Sequence, residues 1–519
     1  MSPPPSAVTS SHSTSAGRLV LWLALGLVVA LHVLSARWHI LYGGLNADEG
    51  FYAVATRAVA QGEIPYRDFG FTQPPLVLYA NALPLRLLGF GLFPQRSLNA
   101  LWAAGALGLA AWWLARRTHP AWGLALVPLF SLCTPWMYFI HLGKTYGLTT
   151  QLVMLATWAF LQLPAGPRRN FTLGVLAALG TGTRLPAAPL FGVLWLLALW
   201  PGRRPTAREL LAAFGGAGLG ATFVLLPFLL ADAAAMKFWT LDLHRLSLPT
   251  RTWNLSWREV AALAPGVWLL AIVALAFAAR RRRFTRELGV MLAAAAALAA
   301  NLLPGGVYEE YGVPFVLPLA VAAAALLYDE LKSPPAATLV LALSLATAQL
   351  LAAPVLFSRT QPDRHGTASM WLTPNAPPYN PALPAQLAAA RRVVEASLAP
   401  DAPFIGTNLI LAAETDRAVP PVLRMGPFSF TAELPPTVAA RLHLVTQPQL
   451  DEWYFRHPDI TFLGFFKRWD LDYGWSMPSF TDVPDDARAR TLDELQRHFD
   501  LADQEGDFLL LVRRKTPRP

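Results

Sequence analysis

The run Asn46-Ala47-Asp48-Glu49-Gly50-Phe51-Tyr52 places two adjacent carboxylates just after the first long apolar stretch of the chain. Arg57 follows, then the turn Pro65-Tyr66-Arg67-Asp68, then Thr72-Gln73-Pro74-Pro75-Leu76 and Tyr79. A carboxylate beside a hydroxyl can take its proton as a general base. A guanidinium close by can stabilise negative charge on a departing phosphate. Both effects strengthen where the surroundings are apolar and the dielectric is low. The bland alternative is that Asp48 caps a helix over 49–61, a role open to any aspartate. Context favours chemistry: residues 1–357 hold only 13 acids, and four of them fall within 48–68.

The elements that must carry these groups are membrane spans. The 519-residue chain is 14% charged, against about 25% in soluble proteins. The deficit is local: residues 1–357 hold 38 charged side chains and the much shorter 358–519 holds 37. A membrane portion is therefore followed by a water-soluble one. The net charge of +9 divides in the same way, with 25 Lys/Arg against 13 acids in the first part and 17 against 20 in the second. A basic excess confined to the membrane part reads as topology and lipid contact, not as nucleic-acid binding. The single cysteine, Cys133, excludes an intrachain disulfide and a thiolate metal cluster. It reads as a small buried apolar residue.

Residues 1–17, rich in Ser, Thr and Pro, read as a disordered tail. A span needs about 20 apolar residues. Candidate spans are 18–36, 97–115, 121–140, 147–163, 171–185, 186–201, 210–231, 262–279, 288–304, 313–328 and 336–356. The apolar segment 74–93 is broken by Pro74, Pro75, Pro84, Arg86 and glycines, and is placed in the outer interface. Basic clusters at Arg116-Arg117, Arg168-Arg169, Arg203-Arg204 with Arg208, Arg280 to Arg283 with Arg286, and Lys332 then fall at every second loop. By the positive-inside tendency these loops are cytoplasmic. The expectation is a polytopic α-helical membrane protein of about 11 transmembrane helices in the plasma (inner) membrane, with a cytoplasmic N-terminus. A transmembrane domain spans 18–356, with a first outer loop at 37–96. A C-terminal extracytoplasmic α/β domain covers 357–519, with strand candidates at 402–405, 460–463 and 507–512 and helices at 387–398 and 491–500. The Pro-rich 374–384 reads as a connector.

The Asp48-Glu49 pair, Tyr52 and Arg57 behind it, the 65–68 turn, and Pro74-Pro75-Leu76 with Tyr79 together resemble the membrane glycosyltransferases of the GT-C fold. Within these, the chain is most similar to the protein-mannosyltransferase and aminoarabinose-transferase-like group, glycosyltransferase family 39 and its relatives. The resemblance is tight over about 50 residues, and the plan of spans followed by an outer domain extends it loosely along the chain. It implies a GT-C-like fold and an inverting transferase acting on a polyprenyl-phosphate sugar donor and the hydroxyl of a lipid, glycan or protein acceptor. It assigns Asp48 as the base with Glu49 as its neighbour, and matches Tyr311 to a phosphate contact. Tyr52, Arg67, Asp68, Gln73, Tyr79 and Glu310 are carried over as substrate contacts.

Two departures stand out. Gln73 occupies a position that is often Lys in the aminoarabinose-transferase branch. The stretch His141-Leu142-Gly143-Lys144-Thr145-Tyr146 lacks the second acid often found near the outer end of a later span, which weakens the case for a two-carboxylate metal site. No cofactor is required by these residues, and a divalent metal stays an open alternative. Lys144 and Arg184, both at outer ends of spans, join Arg57 as the cations for a donor phosphate, with snorkelling to water as their plainer role. Isolated His141 and His244 read as structural. Glu309-Glu310 either meets an acceptor or faces water. The competing classes are a transporter or flippase of lipid-linked or small substrates, and a non-catalytic scaffold. A transporter predicts charges at the midplane of broken helices, whereas the charges here gather at the outer edge.

Overall fold

The computed structural model describes residues 15–331 except 47, 200–203, 247–260, 262, 282–283 and 303–308, together with short stretches between 342 and 514. The membrane portion is a stack of helices: α1 (Ser15–Tyr42), α2 (Asp48–Ala60), α3 (Leu76–Leu88), α4 (Leu92–Arg117), α5 (Pro120–Ser131), α6 (Thr134–His141), α7 (Tyr146–Gln162), α8 (Pro167–Thr181), α9 (Ala188–Leu199), α10 (Ala207–Val224), α11 (Leu226–Lys237), α12 (Pro265–Arg281), α13 (Arg286–Leu302) and α14 (Val313–Leu331). The last of these is the core helix, packed against α4, α7, α12 and α13 and buried on every side from Val313 to Leu327. A helix that is apolar all round belongs in such a place. At the other extreme, α1 presents Leu19, Val20, Trp22, Leu23 and Leu27 outward. Between α8 and α10 the backbones meet closely: a Cβ on Gly174 would overlap Ala213, and one on Gly216 would overlap Phe171. Small residues at such crossings are how apolar helices gain van der Waals contact within a bilayer.

Three described helices are long and apolar enough to cross a membrane on their own: Leu19–Tyr42, Leu92–Arg117 and Glu310–Leu331. Two helix pairs reach that length and apolarity only together and are bent, α5 with α6 by 78° and α10 with α11–Arg245 by 66°. Both bends fall beside a proline, Pro135 and Pro227, in the first turn of the second half, where a missing N–H costs least. The expected interfacial segment 74–93 forms α3, whose 13 residues reach about 20 Å, short of the roughly 30 Å of hydrocarbon. Its Leu83, Leu87 and Leu88 point outward. The candidate span 336–356, apart from 342 and 345–347, the connector 374–384 and nearly all of the N-terminal tail lie outside the described residues, although the last part of that tail, from Ser15, already belongs to α1.

The helix ends sort into two groups. At one end Arg117 pairs with Asp329 at 2.6 Å and with Glu287 at 3.3 Å, Arg169 donates to Ala198 O, and Arg286 donates to Leu161 O. At the other end lie the C-terminus of α1, the start of α2, the 142–145 turn, Arg184 and the start of α14. The first group holds Arg117, Arg169 and Arg286 from the loops expected inside, and the second holds the acidic doublet.

The described C-terminal pieces contain a short helix, Leu409–Glu414, a parallel strand pair β1 (Phe430–Thr431) and β2 (Val445–Thr446), and an antiparallel sheet of β3 (Phe462–Phe466), β4 (Phe499–Glu505) and β5 (Phe508–Arg513) in the order β3-β5-β4. Residues 403–405, placed on a strand by their apolar character, belong to no strand, although Phe404 N donates to Ala418 O at 2.8 Å. This region docks on the first loop. Gly50 faces Leu409 and Ile410 so closely that a Cβ would overlap their backbone. Glu414 accepts from Leu92 N at 2.6 Å, and Trp239 Nε1 donates to Leu442 O at 2.8 Å. His443 Nε2 lies 3.0 Å from Tyr66 O. The pieces between residues 409 and 443 and the first loop therefore share one side of the helical stack.

Candidate active site

Asn46 opens α2. Its side chain accepts from Asp48 N at 3.1 Å, and its own N–H donates to Glu49 Oε2 at 3.3 Å. This is the reciprocal logic of a capping box, carried by an Asn-x-x-Glu spacing. The cap expected of Asp48 is thus supplied by Asn46, and the Asp48 carboxylate is released for other work.

That carboxylate meets Lys144. Nζ of Lys144 lies 2.8 Å from Asp48 Oδ2 and 3.1 Å from Glu310 Oε1. The Lys144 side chain is 4% exposed and that of Asp48 is 35% exposed, so the aspartate forms the open rim and the lysine the floor. Burial opposes the charge on Lys144, but the two carboxylates outweigh it and hold the ammonium well above its usual pKa. Glu310 Oε1 also accepts from Tyr146 OH at 2.7 Å. Tyr146 OH is in turn 3.3 Å from Arg184 Nη2, while Arg184 Nη1 donates to Thr145 Oγ1 at 3.0 Å. The Arg184 guanidinium lies between two phenol rings, 4.5 Å from the centre of Tyr146 and 4.9 Å from that of Tyr311, a cation–π arrangement. One hydrogen-bonded chain thus runs Asp48, Lys144, Glu310, Tyr146, Arg184. The buried Nε of Arg184 has no partner among the described residues. A buried donor left unpaired costs about 1–3 kcal/mol, which a ligand oxygen would recover.

Tyr52, one turn along α2, completes this face. It is buried against Phe51 and Phe71, and burial raises its phenol well above the usual pKa, with Arg184 and Lys144 among the charges that act on it.

Glu49 turns away from the rim. It is fully buried and bound bidentately by Arg96, at 2.8 Å from Nε and 2.6 Å from Nη2. Arg96 also donates to Gly43 O and Gly44 O, and Glu49 Oε1 accepts from Gly143 N at 2.8 Å. The pair ties the end of α1, the start of α2 and the turn carrying Lys144 into one unit. Reasoning from sequence did not single out Arg96. The available signal was a basic residue at the outer edge of a span, where the charge trend does not call for one.

The other expected contacts fall elsewhere. Arg57 donates to Asp416 Oδ1 at 2.7 Å and to Arg417 O, joining α2 to the C-terminal region and not to the Asp48 cluster. Arg67 and Asp68 bind each other, at 2.9 and 2.8 Å, inside a turn closed by Ile64 N on Asp68 Oδ2. The Arg67 hydrogen bond holds the Asp68 carboxyl below its usual pKa. Gln73 lies in a turn whose Leu76 N donates to Gly182 O, two residues before Arg184, and whose Gln73 O accepts from Tyr66 OH. Tyr79 is half exposed on α3 beside Phe228. His244 Nε2 lies 3.0 Å from Thr72 O, and His141 is buried beside His39. Cys133 is buried.

No family model matches the chain, and no curated protein matches it. Solved structures do. The chain is similar to ArnT from Cupriavidus metallidurans bound to undecaprenyl phosphate, with a TM-score of 0.61 and 14% identity over 97% of this chain and 100% of that one. It is also similar to the apo state of the same protein, with a TM-score of 0.58 and 14% identity over 96% and 98%. The likeness gives this chain the fold of those structures: largely helical, with three helices, or up to five if each bent pair is one span, long and apolar enough to cross a membrane.

Proposed function

We propose that the chain is an inverting glycosyltransferase that moves a sugar from a polyprenyl-phosphate donor to an acceptor hydroxyl. The observation that carries this reading is the convergence of Asp48, at an open rim, with the buried cations Lys144 and Arg184, one of which keeps a partnerless N–H. Asp48 takes the proton of the acceptor hydroxyl. The acceptor oxygen forms a bond to the anomeric carbon as the bond from that carbon to the phosphate oxygen breaks. The electron pair leaves with the polyprenyl phosphate, whose charge is met by Arg184 and Lys144, with Tyr311 beside them. Glu49 and Arg96 act as positioning residues. The acceptor approaches from the side on which the C-terminal region docks. The likeness to a protein bound to undecaprenyl phosphate supports a lipid-phosphate donor. The reading further places the N-terminus in the cytoplasm and the acidic doublet outside, in keeping with the basic helix ends opposite.

A transporter would keep its charges at mid-span. Glu49, Arg96, Lys144, Arg184 and Glu310 all lie at helix ends on one side. The test is to incubate the purified protein with a panel of radiolabelled polyprenyl-phosphate sugars. Acceptor-dependent release of lipid phosphate is expected. Movement of a lipid-linked substrate across vesicles without release would favour transport.

A further inference from the structure

A divalent metal in such a site would sit between Asp48 and a second acid. The donor set of this chain does not fit one. The two candidate oxygens, Asp48 Oδ2 and Glu310 Oε1, are already bridged by Lys144 Nζ at 2.8 and 3.1 Å. Mg²⁺ or Ca²⁺ would bind those oxygens at about 2.0–2.6 Å, in the space the ammonium fills and against its charge. Glu49, a further acid of α2, is engaged by Arg96 and Gly143 N. Among the described residues no group of three or more His, Cys, Asp and Glu side chains converges.

We infer that Lys144 is a tethered cation standing where other sites would place a divalent ion, so that transfer by this chain proceeds without a metal. This rests on the transferase reading and adds to it the source of positive charge. The ammonium offsets one of the two negative charges of the Asp48–Glu310 pair and keeps both carboxylates in one place. Two cations, Lys144 and Arg184, then balance two carboxylates. Exchanging Lys144 for an acid would leave three carboxylates around the same point, a hard-oxygen donor set suited to Mg²⁺ or Mn²⁺.

The test is a Mn²⁺ titration of the full-length purified chain, read by electron paramagnetic resonance, with donor turnover measured before and after EDTA. The wild type should show no Mn²⁺ site that depends on Asp48, and EDTA should leave its turnover unchanged. Lys144→Asp should bind Mn²⁺ about tenfold or more tightly than the wild type, and Asp48→Asn on that background should remove the gain. A wild-type site lost in Asp48→Asn, or turnover abolished by EDTA and restored by Mg²⁺, would overturn the inference. So would a folded Lys144→Asp chain that gains no site. If that variant fails to fold, the wild-type titration decides alone. Absence of turnover with every donor, with Mn²⁺ still refused by the wild type, would sink the transferase reading and leave the ammonium in the cation's place.

Discussion

The two ends of the helical stack use the same kinds of side chain to opposite effect. At the basic end Arg117 pairs with Asp329 and Glu287, but the Arg117 and Asp329 side chains are 37% and 42% exposed. Water and salt screen such pairs, which contribute about 0–1 kcal/mol. At the acidic end Arg96 and Glu49 are 1% and 0% exposed, and Lys144 and Glu310 are nearly as deep. Taking charges out of water costs least where their lone pairs and protons are matched, as those of Glu49 are. The buried pairs of opposite charge, Arg96–Glu49 and Lys144–Glu310, set the acidic end apart from the screened pairs of Arg117, although Arg169 at the basic end is buried as well.

The contrast can be broken in three places, beginning with the largest effect. Arg96→Met strips Glu49 of its partner in a dry site and should cost about 3–5 kcal/mol, seen as a lower Tm in detergent. Glu49→Leu on that background should restore part of the loss. Arg184→Gln should leave folding nearly intact and raise the donor KM by about 10–100-fold, the scale of lost hydrogen bonds to a charged group. An unchanged donor KM would move the phosphate elsewhere. Arg117→Ala should cost less than about 1 kcal/mol, shrink further in high salt, and leave turnover unchanged. A large loss of activity there would erase the distinction between the two ends.

Much of this contrast was legible in the residue order because it is local or periodic. The alternation of basic loops separates the two ends, and the breaks at Pro74, Pro75 and Pro84 keep 74–93 from reading as a span. The structure brings Asp48, Tyr52, Lys144, Arg184, Glu310 and Tyr311 to one place. It does not bring Arg57, Arg67, Asp68 or Tyr79 there. Arg57 shows why. Its partner, Asp416, is 359 residues away, in a left-handed turn with φ of 53°, and nothing near Arg57 announces that contact. Glu49 and Arg96 are separated by 47 residues and two turns of chain. Periodicity tells which face of a helix is buried but not which distant charge it will meet. Hence Asp48 and Glu49, neighbours in sequence, could not be assigned their opposite directions, one to the rim and one to the interior.

The most direct measurement is the turnover of Asp48→Asn beside the wild type, with a polyprenyl-phosphate sugar as donor and thermal unfolding followed in parallel. Loss of a general base should lower kcat by about 10²–10⁴-fold, while the half-open position of this side chain leaves Tm close to wild type. Near-normal turnover by a folded Asp48→Asn chain would contradict the account.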